Sequence, residues 1–216
     1  MKKIILIIVA LSIILSVNLF SQAKPKKTQA TKTTANKVYE NKSGKLVYKM
    51  NFMGDQYYTL YWDDYGDKEA KIMKIDIEVF GEKSSSENVE LKVGGYIYKF
   101  DKSKKEGTKS KAYSPLGTAQ GVPSDISKMA QKEIEKMKLV DLGTKEVLGK
   151  PCKGYQMEPM GMKMETWSWK NLLLESKTWM SKQGEPIEMN AISLELDITI
   201  PEDIFKVPSD IKFTEY

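Results

Sequence analysis

Leu46-Val47-Tyr48-Lys49-Met50-Asn51-Phe52 places Leu46, Tyr48, Met50 and Phe52 at every second position. A period of two is the spacing of side chains along one face of a β-strand. The same signal repeats along the chain. Gly54-Asp55 breaks the first run, and Gln56 to Tyr65 starts a second, with Tyr57, Tyr58, Tyr61, Trp62 and Tyr65 on both faces. Gly66-Asp67 turns the chain into a third strand, Lys68 to Phe80, in which Ile75, Ile77 and Val79 alternate. A loop around Ser84–Glu87 is expected to close it. Val89–Val93 and Tyr96–Asp101 straddle Gly94-Gly95, a two-residue hairpin signal. Lys109–Tyr113 reads as a short edge strand, where lysines suit an exposed border.

The pattern then changes. Pro115 to Pro123 reads as a loop, and Ser124 with Asp125 supplies a helix N-cap and an acidic first turn. Ile126, Met129, Ala130, Ile134 and Met137 follow helical spacing, which predicts a helix at about 125–138. Strands are predicted again at Gly143–Leu148, Gly154–Met160, Lys163–Lys170, Leu172–Ser181 and Pro186–Leu196, with one helical turn around Ile204-Phe205. The fold class is therefore mainly β (α+β). The expected architecture is a curved antiparallel sheet or half-open barrel of about 8–11 strands, with one main helix packed on its concave side. Such a sheet can leave an apolar cavity under the helix.

The ends of this domain follow from composition. Lys2 and Lys3 precede an apolar run from Ile4 to Val17, and Ser21-Gln22-Ala23 supplies small residues before a cut. Residues 1–23 read as a signal peptide cleaved near Ala23. The run is short for a stable membrane span, and no cysteine follows it to carry a lipid. Residues 24–43 carry six lysines against Glu40 and no large apolar residue before Val38. They read as a basic flexible tether that serves solubility and spacing and is able to touch anionic lipid or wall polymers. Residues 44–216 form the folded domain by length, with 26 lysines against 28 acidic residues. The formal net charge of +5 therefore belongs to the leader and tether. The expected location is periplasmic or secreted.

Missing residue types exclude function classes. The chain has no histidine and one cysteine, and all 34 of its basic residues are lysine. Catalysis through Ser-His-Asp or Cys-His, and zinc or haem sites held by histidine, are excluded. Without arginine there is no planar fork for phosphate or guanine, and with a slightly acidic domain nucleic acid is not an expected partner. No convergent set of polar residues points to an enzyme, and no cofactor or metal is expected. Asp63, Asp64 and Asp67 do not have EF-hand spacing and read as a solvated turn. Cys152 reads as a lone, partly buried thiol.

The richest features are apolar. Aromatic residues crowd the strands, and the methionines, including Met157, Met160, Met162 and Met164, are soft side chains suited to varied apolar ligands. The candidate cavity-lining residues are Tyr48, Met50, Phe52, Tyr61, Tyr96, Tyr98, Met129, Met164, Trp167 and Trp169.

Several stretches carry a family likeness. They are Tyr61-Trp62-Asp63-Asp64-Tyr65-Gly66-Asp67-Lys68-Glu69-Ala70, Leu148-Gly149-Lys150-Pro151-Cys152-Lys153-Gly154-Tyr155, Trp167-Ser168-Trp169-Lys170-Asn171-Leu172-Leu173-Leu174-Glu175-Ser176, and the ending from Ile200-Pro201 to Pro208. Together they resemble secreted bacterial proteins of unknown function allied to the LolA/LolB outer-membrane lipoprotein carriers. The resemblance implies a half-open barrel closed by a helical lid, with a cavity for acyl chains. It also implies an arginine that gates the lid, a residue this sequence does not contain. The expected function is an exported, non-enzymatic binder or carrier of an apolar ligand, a lipid or a lipoprotein acyl chain. The alternative is a structural or interaction protein of the cell envelope with a filled core.

If residues 1–23 are a cleaved leader, the exported protein begins at Lys24. Intact mass and N-terminal sequencing of the protein recovered outside the cytoplasm check this. A species retaining Met1 would identify the apolar run as an anchor.

Overall fold

The computed structural model describes residues 37–52, 54, 56–79, 82–112, 135, 137–158, 161–181 and 184–216. Among the described residues, twelve strands follow one another. They are β1 (Gly44–Met50), β2 (Gln56–Asp63), β3 (Lys68–Val79), β4 (Glu82–Val93), β5 (Tyr96–Asp101) and β6 (Glu106–Lys111), then β7 (Val140–Val147), β8 (Lys150–Met157), β9 (Lys163–Trp169), β10 (Leu172–Trp179), β11 (Ile187–Leu196) and β12 (Lys212–Glu215). They form one curved sheet in the order β12-β6-β5-β4-β3-β2-β1-β11-β10-β9-β8-β7. Its two border strands, β12 and β7, are not paired with each other, so the sheet is open.

The order has a simple logic. β1 through β6 run as a meander of hairpins on one side, and β7 through β11 do the same on the other. β1 and β11 then pair antiparallel, from Gly44 opposite Leu196 to Met50 opposite Met189. The turn between β4 and β5 has Gly94 at φ 60° and Gly95 at φ 77°. Two consecutive positive φ angles are what a type I′ hairpin demands.

The expected mainly β architecture is present, with three corrections. Twelve strands exceed the expected 8–11, because short polar stretches also pair. Ser84–Glu87 is strand rather than loop, since Ser84, Ser85 and Ser86 lie opposite Ile77, Asp76 and Ile75 of the long β3. A fixed partner ladder here overrides the weak strand preference of serine. The sheet is mixed rather than antiparallel, because β12 pairs parallel to β6. β6 is therefore not the border strand that its lysines suggested. Lys212-Phe213-Thr214-Glu215 has one apolar residue, too little for a sequence signal. Phe213 holds it in place, edge-on to Tyr98 and Phe100 at 5.1 and 5.8 Å between centroids. The predicted helix at 125–138 lies outside the described residues except at 135, 137 and 138. The predicted turn around Ile204-Phe205 is a single 3-10 turn, Glu202–Phe205.

Each face of the sheet buries a different core. On the first face, Leu46, Tyr48, Leu60 and Trp62 pack with Tyr39, Leu174 and Ala191. On the second face, Ala70, Val89, Leu91 and Phe100 lie under Phe205 and Ile211 of the C-terminal segment. Residues 37–43, which composition groups with the tether, run against the first core. Val38 and Tyr39 donate backbone N–H bonds to the Tyr65 carbonyl, and Tyr65 donates to Lys42. Tyr39 is buried, with its ring 4.9 Å from that of Trp62. Among the described residues, no helix is long and apolar enough to cross a membrane.

Trp62 is fully buried and its indole N–H donates to the Asn41 carbonyl at 3.2 Å. Trp62→Ala removes that bond and leaves a large cavity, so a loss of about 3–5 kcal/mol is expected in urea unfolding. A loss below about 1 kcal/mol would show that Trp62 is not central to this core.

Candidate ligand-binding face

Register shows how scattered methionines come together. Met50 lies opposite Met189 across β1 and β11, and Tyr58 lies opposite Met73 across β2 and β3. Met50, Met73 and Ile75 form a buried cluster, with Phe52, Tyr58 and Met189 against it. Farther along the same face, Thr178 is opposite both Ile187 and Met164, and Met164 is opposite Met157. Directly opposed residues share a face. Met73, Met50, Met189, Met164 and Met157 therefore share one face from β3 to β8, with Ser176 and Thr178 of β10 between Met189 and Met164. Their flexible thioethers make it a surface that can repack.

The methionine strip ends against charge. On β3, β4 and β5 the same face carries Glu69 opposite Lys92, and Glu90 opposite both Lys71 and Lys99. Glu69 and Glu90 are buried. Lys71 reaches Glu90 at 2.6 Å, Lys99 reaches its other oxygen at 2.9 Å, and Lys92 reaches Glu69 at 3.2 Å. Burial pushes the Glu90 carboxyl upward, but Lys71 and Lys99 outweigh it and bring it down to about 2. Burial pulls Lys71 downward, and Glu90 and Glu69 raise it above its ordinary range. Tyr39 and Tyr58 are held protonated, first by burial and then by the negative charge of Glu69 and Glu90 respectively. The Tyr39 hydroxyl is buried beside Glu69 without a hydrogen bond of ordinary geometry among the described residues.

The structure distributes the ten sequence candidates unevenly. Tyr48, Met50, Phe52 and Met164 belong to the first face. Tyr48 is wholly buried and donates its hydroxyl to the Leu173 carbonyl at 2.6 Å. Tyr61 and Tyr98 lie on the second face with the core under the C-terminal segment, and Tyr96 neighbours Tyr98 at 6.4 Å. Trp167 and Trp169 are half-buried against the same core cluster as Tyr48, Leu60 and Trp62, at its Cys152 and Leu172 end. Met129 lies outside the described residues. The charged ladder was missed, and strand alternation carries the signal for it. Glu69, Lys71 and Met73 share a parity, as do Glu90 and Lys92, but registry alone aligns them.

Cys152 is a buried free thiol, pushed above its ordinary range by burial. That setting disfavours the thiolate needed for nucleophilic or redox chemistry. Among the described residues, no three His, Cys, Asp or Glu side chains gather as for a metal ion.

No family model matches the chain, and no curated protein matches it. Solved structures do resemble it. An uncharacterized conserved protein from Thermus thermophilus aligns with a TM-score of 0.51 at 6% identity, over 82% of this chain and 92% of that one. This likeness shows a shared fold. The Pseudomonas aeruginosa MucA/MucB complex structure aligns with a TM-score of 0.48 at 15% identity, over 81% of this chain and 58% of that one. LprF from Mycobacterium bovis aligns with a TM-score of 0.35 at 8% identity, over 76% and 90%.

The Glu90 cluster has a definite pH signature. Its folded value lies below that of an unfolded glutamate, so its contribution to stability is present above about pH 4.3. That contribution is lost as pH falls from there toward about 2. Glu90→Gln removes the carboxylate that Lys71 and Lys99 share and is expected to cost about 3 kcal/mol at neutral pH. In urea unfolding the gap between the natural protein and the variant narrows as pH is lowered to the range of the folded value. A gap that stays constant with pH would rule out this role for Glu90.

Proposed function

We propose that this chain is an exported, non-enzymatic binder of an apolar ligand, a lipid or the acyl chain of a lipoprotein. It works in the periplasm or outside the cell. The observation that carries the reading is the methionine strip. Five methionines drawn from five strands share one face, beside half-buried Phe52, Tyr58 and Ile187. A core built only for stability favours side chains with well-defined rotamers, whereas methionine tolerates guests of different shape. The lysines from Lys24 onward supply cations for contact with anionic envelope surfaces. The sequence resemblance to lipoprotein carriers points the same way. The absence of histidine and the inert setting of Cys152 support a binding role over catalysis.

Native mass spectrometry of the exported protein tests this reading, together with uptake of a fluorescent fatty acid. Lipid adducts or saturable probe uptake are expected. Met164 and Met189 are half-buried, so Met164→Asp and Met189→Asp are expected to reduce uptake by about tenfold or more with the circular dichroism spectrum retained. Bare protein that takes up no probe would sink the proposal and leave the filled-core alternative.

A further inference from the structure

The charged ladder of β3, β4 and β5 adjoins the methionine strip on the same face. Lys71 and Met73 are alternate residues of β3, about 7 Å apart. Tyr58 spans the boundary. It lies opposite Met73 and packs against the Met50 cluster. It also stands near enough to Glu90 and Glu69 for their charge to help hold its hydroxyl protonated. A face that only buries apolar surface gains nothing from such a ladder, because replacing buried ion pairs by apolar side chains is often neutral or stabilising.

The ladder is not balanced. Glu90 meets Lys71 through one oxygen and Lys99 through the other, and Glu69 meets Lys92. Three ammonium groups therefore share two carboxylates. They differ in access. Lys71 is only 14% exposed, and Lys92 also donates to the Gly66 carbonyl. The Lys99 side chain is 40% exposed, and its bond to Glu90 uses one of three ammonium donors. On its far side Lys99 lies opposite Thr108 of β6, which lies opposite Thr214 of β12, so the paired positions there hold no carboxylate. Asp101, the next acid along β5, accepts from the backbone and hydroxyl of Ser103 and pairs with Lys104 at 3.5 Å. The surplus positive charge thus sits at Lys99, at the accessible end of the ladder, while both carboxylates are taken up inside it. From β5 to β11 the face spans five strand spacings, about 24 Å, the scale of a long acyl chain.

We propose that the ligand is a long-chain amphiphile with a monoanionic head, the head held by Lys99 and the chain laid along Met73, Met50 and Met189. This rests on the apolar-ligand reading above and adds the head group and the direction in which the ligand lies. A carboxylate or phosphodiester takes up the one surplus charge through charge-assisted hydrogen bonds. A neutral hydroxyl gains only an ordinary hydrogen bond at the same place. A cationic head meets carboxylates already held by lysines and a like charge at Lys99.

The test uses the full chain in its exported form at neutral pH. Displacement of a fluorescent fatty acid is followed with palmitate, hexadecanol, hexadecyltrimethylammonium and palmitoyl lysophosphatidylglycerol. Palmitate is expected to bind about tenfold more tightly than hexadecanol, and the cation most weakly. The rank of lysophosphatidylglycerol against palmitate distinguishes phosphodiester from carboxylate as the preferred head. Lys99→Gln is expected to shrink the preference for palmitate over hexadecanol to about threefold or less. Lys99→Arg keeps the charge and is expected to keep the preference. So is Lys177→Gln, which removes one charge from the opposite face. The preference of the natural protein needs no substitution, so it is read even where a variant fails to fold. Equal binding of palmitate and hexadecanol, a preference for the cation, or a preference that survives Lys99→Gln would overturn the proposal and leave the apolar-ligand reading standing. Binding of none of the four would remove both.

Discussion

The pairing of β1 with β11 is the interaction on which the remaining structure depends. It joins two strand meanders whose paired residues lie about 140–150 positions apart, from Gly44 with Leu196 to Met50 with Met189. Without it neither half buries its share of the first face. Tyr48 marks the junction, with its ring in the core and its hydroxyl bonded to the Leu173 carbonyl on β10. Closing so long a loop is entropically costly, and apolar burial at Leu46, Trp62 and Leu174 offsets that cost. Residues 37–43 add to the junction by placing Tyr39 over Trp62.

From that junction the two faces diverge. Strand alternation sends one parity to a face that is apolar along β8 to β1 and charged along β3 to β5. It sends the other parity under the C-terminal segment at one end and into lysine-capped indoles at the other. A buried cluster of carboxylates and ammonium groups is costly unless every member is paired. Here the direct opposition of Glu69 with Lys92, and of Glu90 with Lys71 and Lys99, provides those pairs. The same registry that defines the sheet therefore makes this charge tolerable.

Much of the strand order was legible because the periodicity is local. The run through Leu46, Tyr48 and Met50, and the glycine pair at 94 and 95, announce their structure within a few residues. Ser84–Glu87 and Lys212–Glu215 were not legible, because their strand character comes from β3 and from Phe213 packing on Tyr98 and Phe100. The arrangement of the candidate residues was not legible. Aromatic and methionine enrichment pointed to an apolar surface, but Tyr61 and Tyr98 fall on the opposite face from Tyr48 and Met50. Parity within a strand is visible in sequence, whereas the matching of parities between distant strands is not.

By itself, the sequence determined the class of fold and the excluded chemistries. Alternation and composition are local properties, and absent side chains cannot be supplied by folding. Only the tertiary structure decided the order of the strands, the opposition of Glu90 to Lys71 and Lys99, and the flat seat of Trp167 on Gly154. Each of these depends on cross-strand registry, which is set when distant segments bury their apolar faces together.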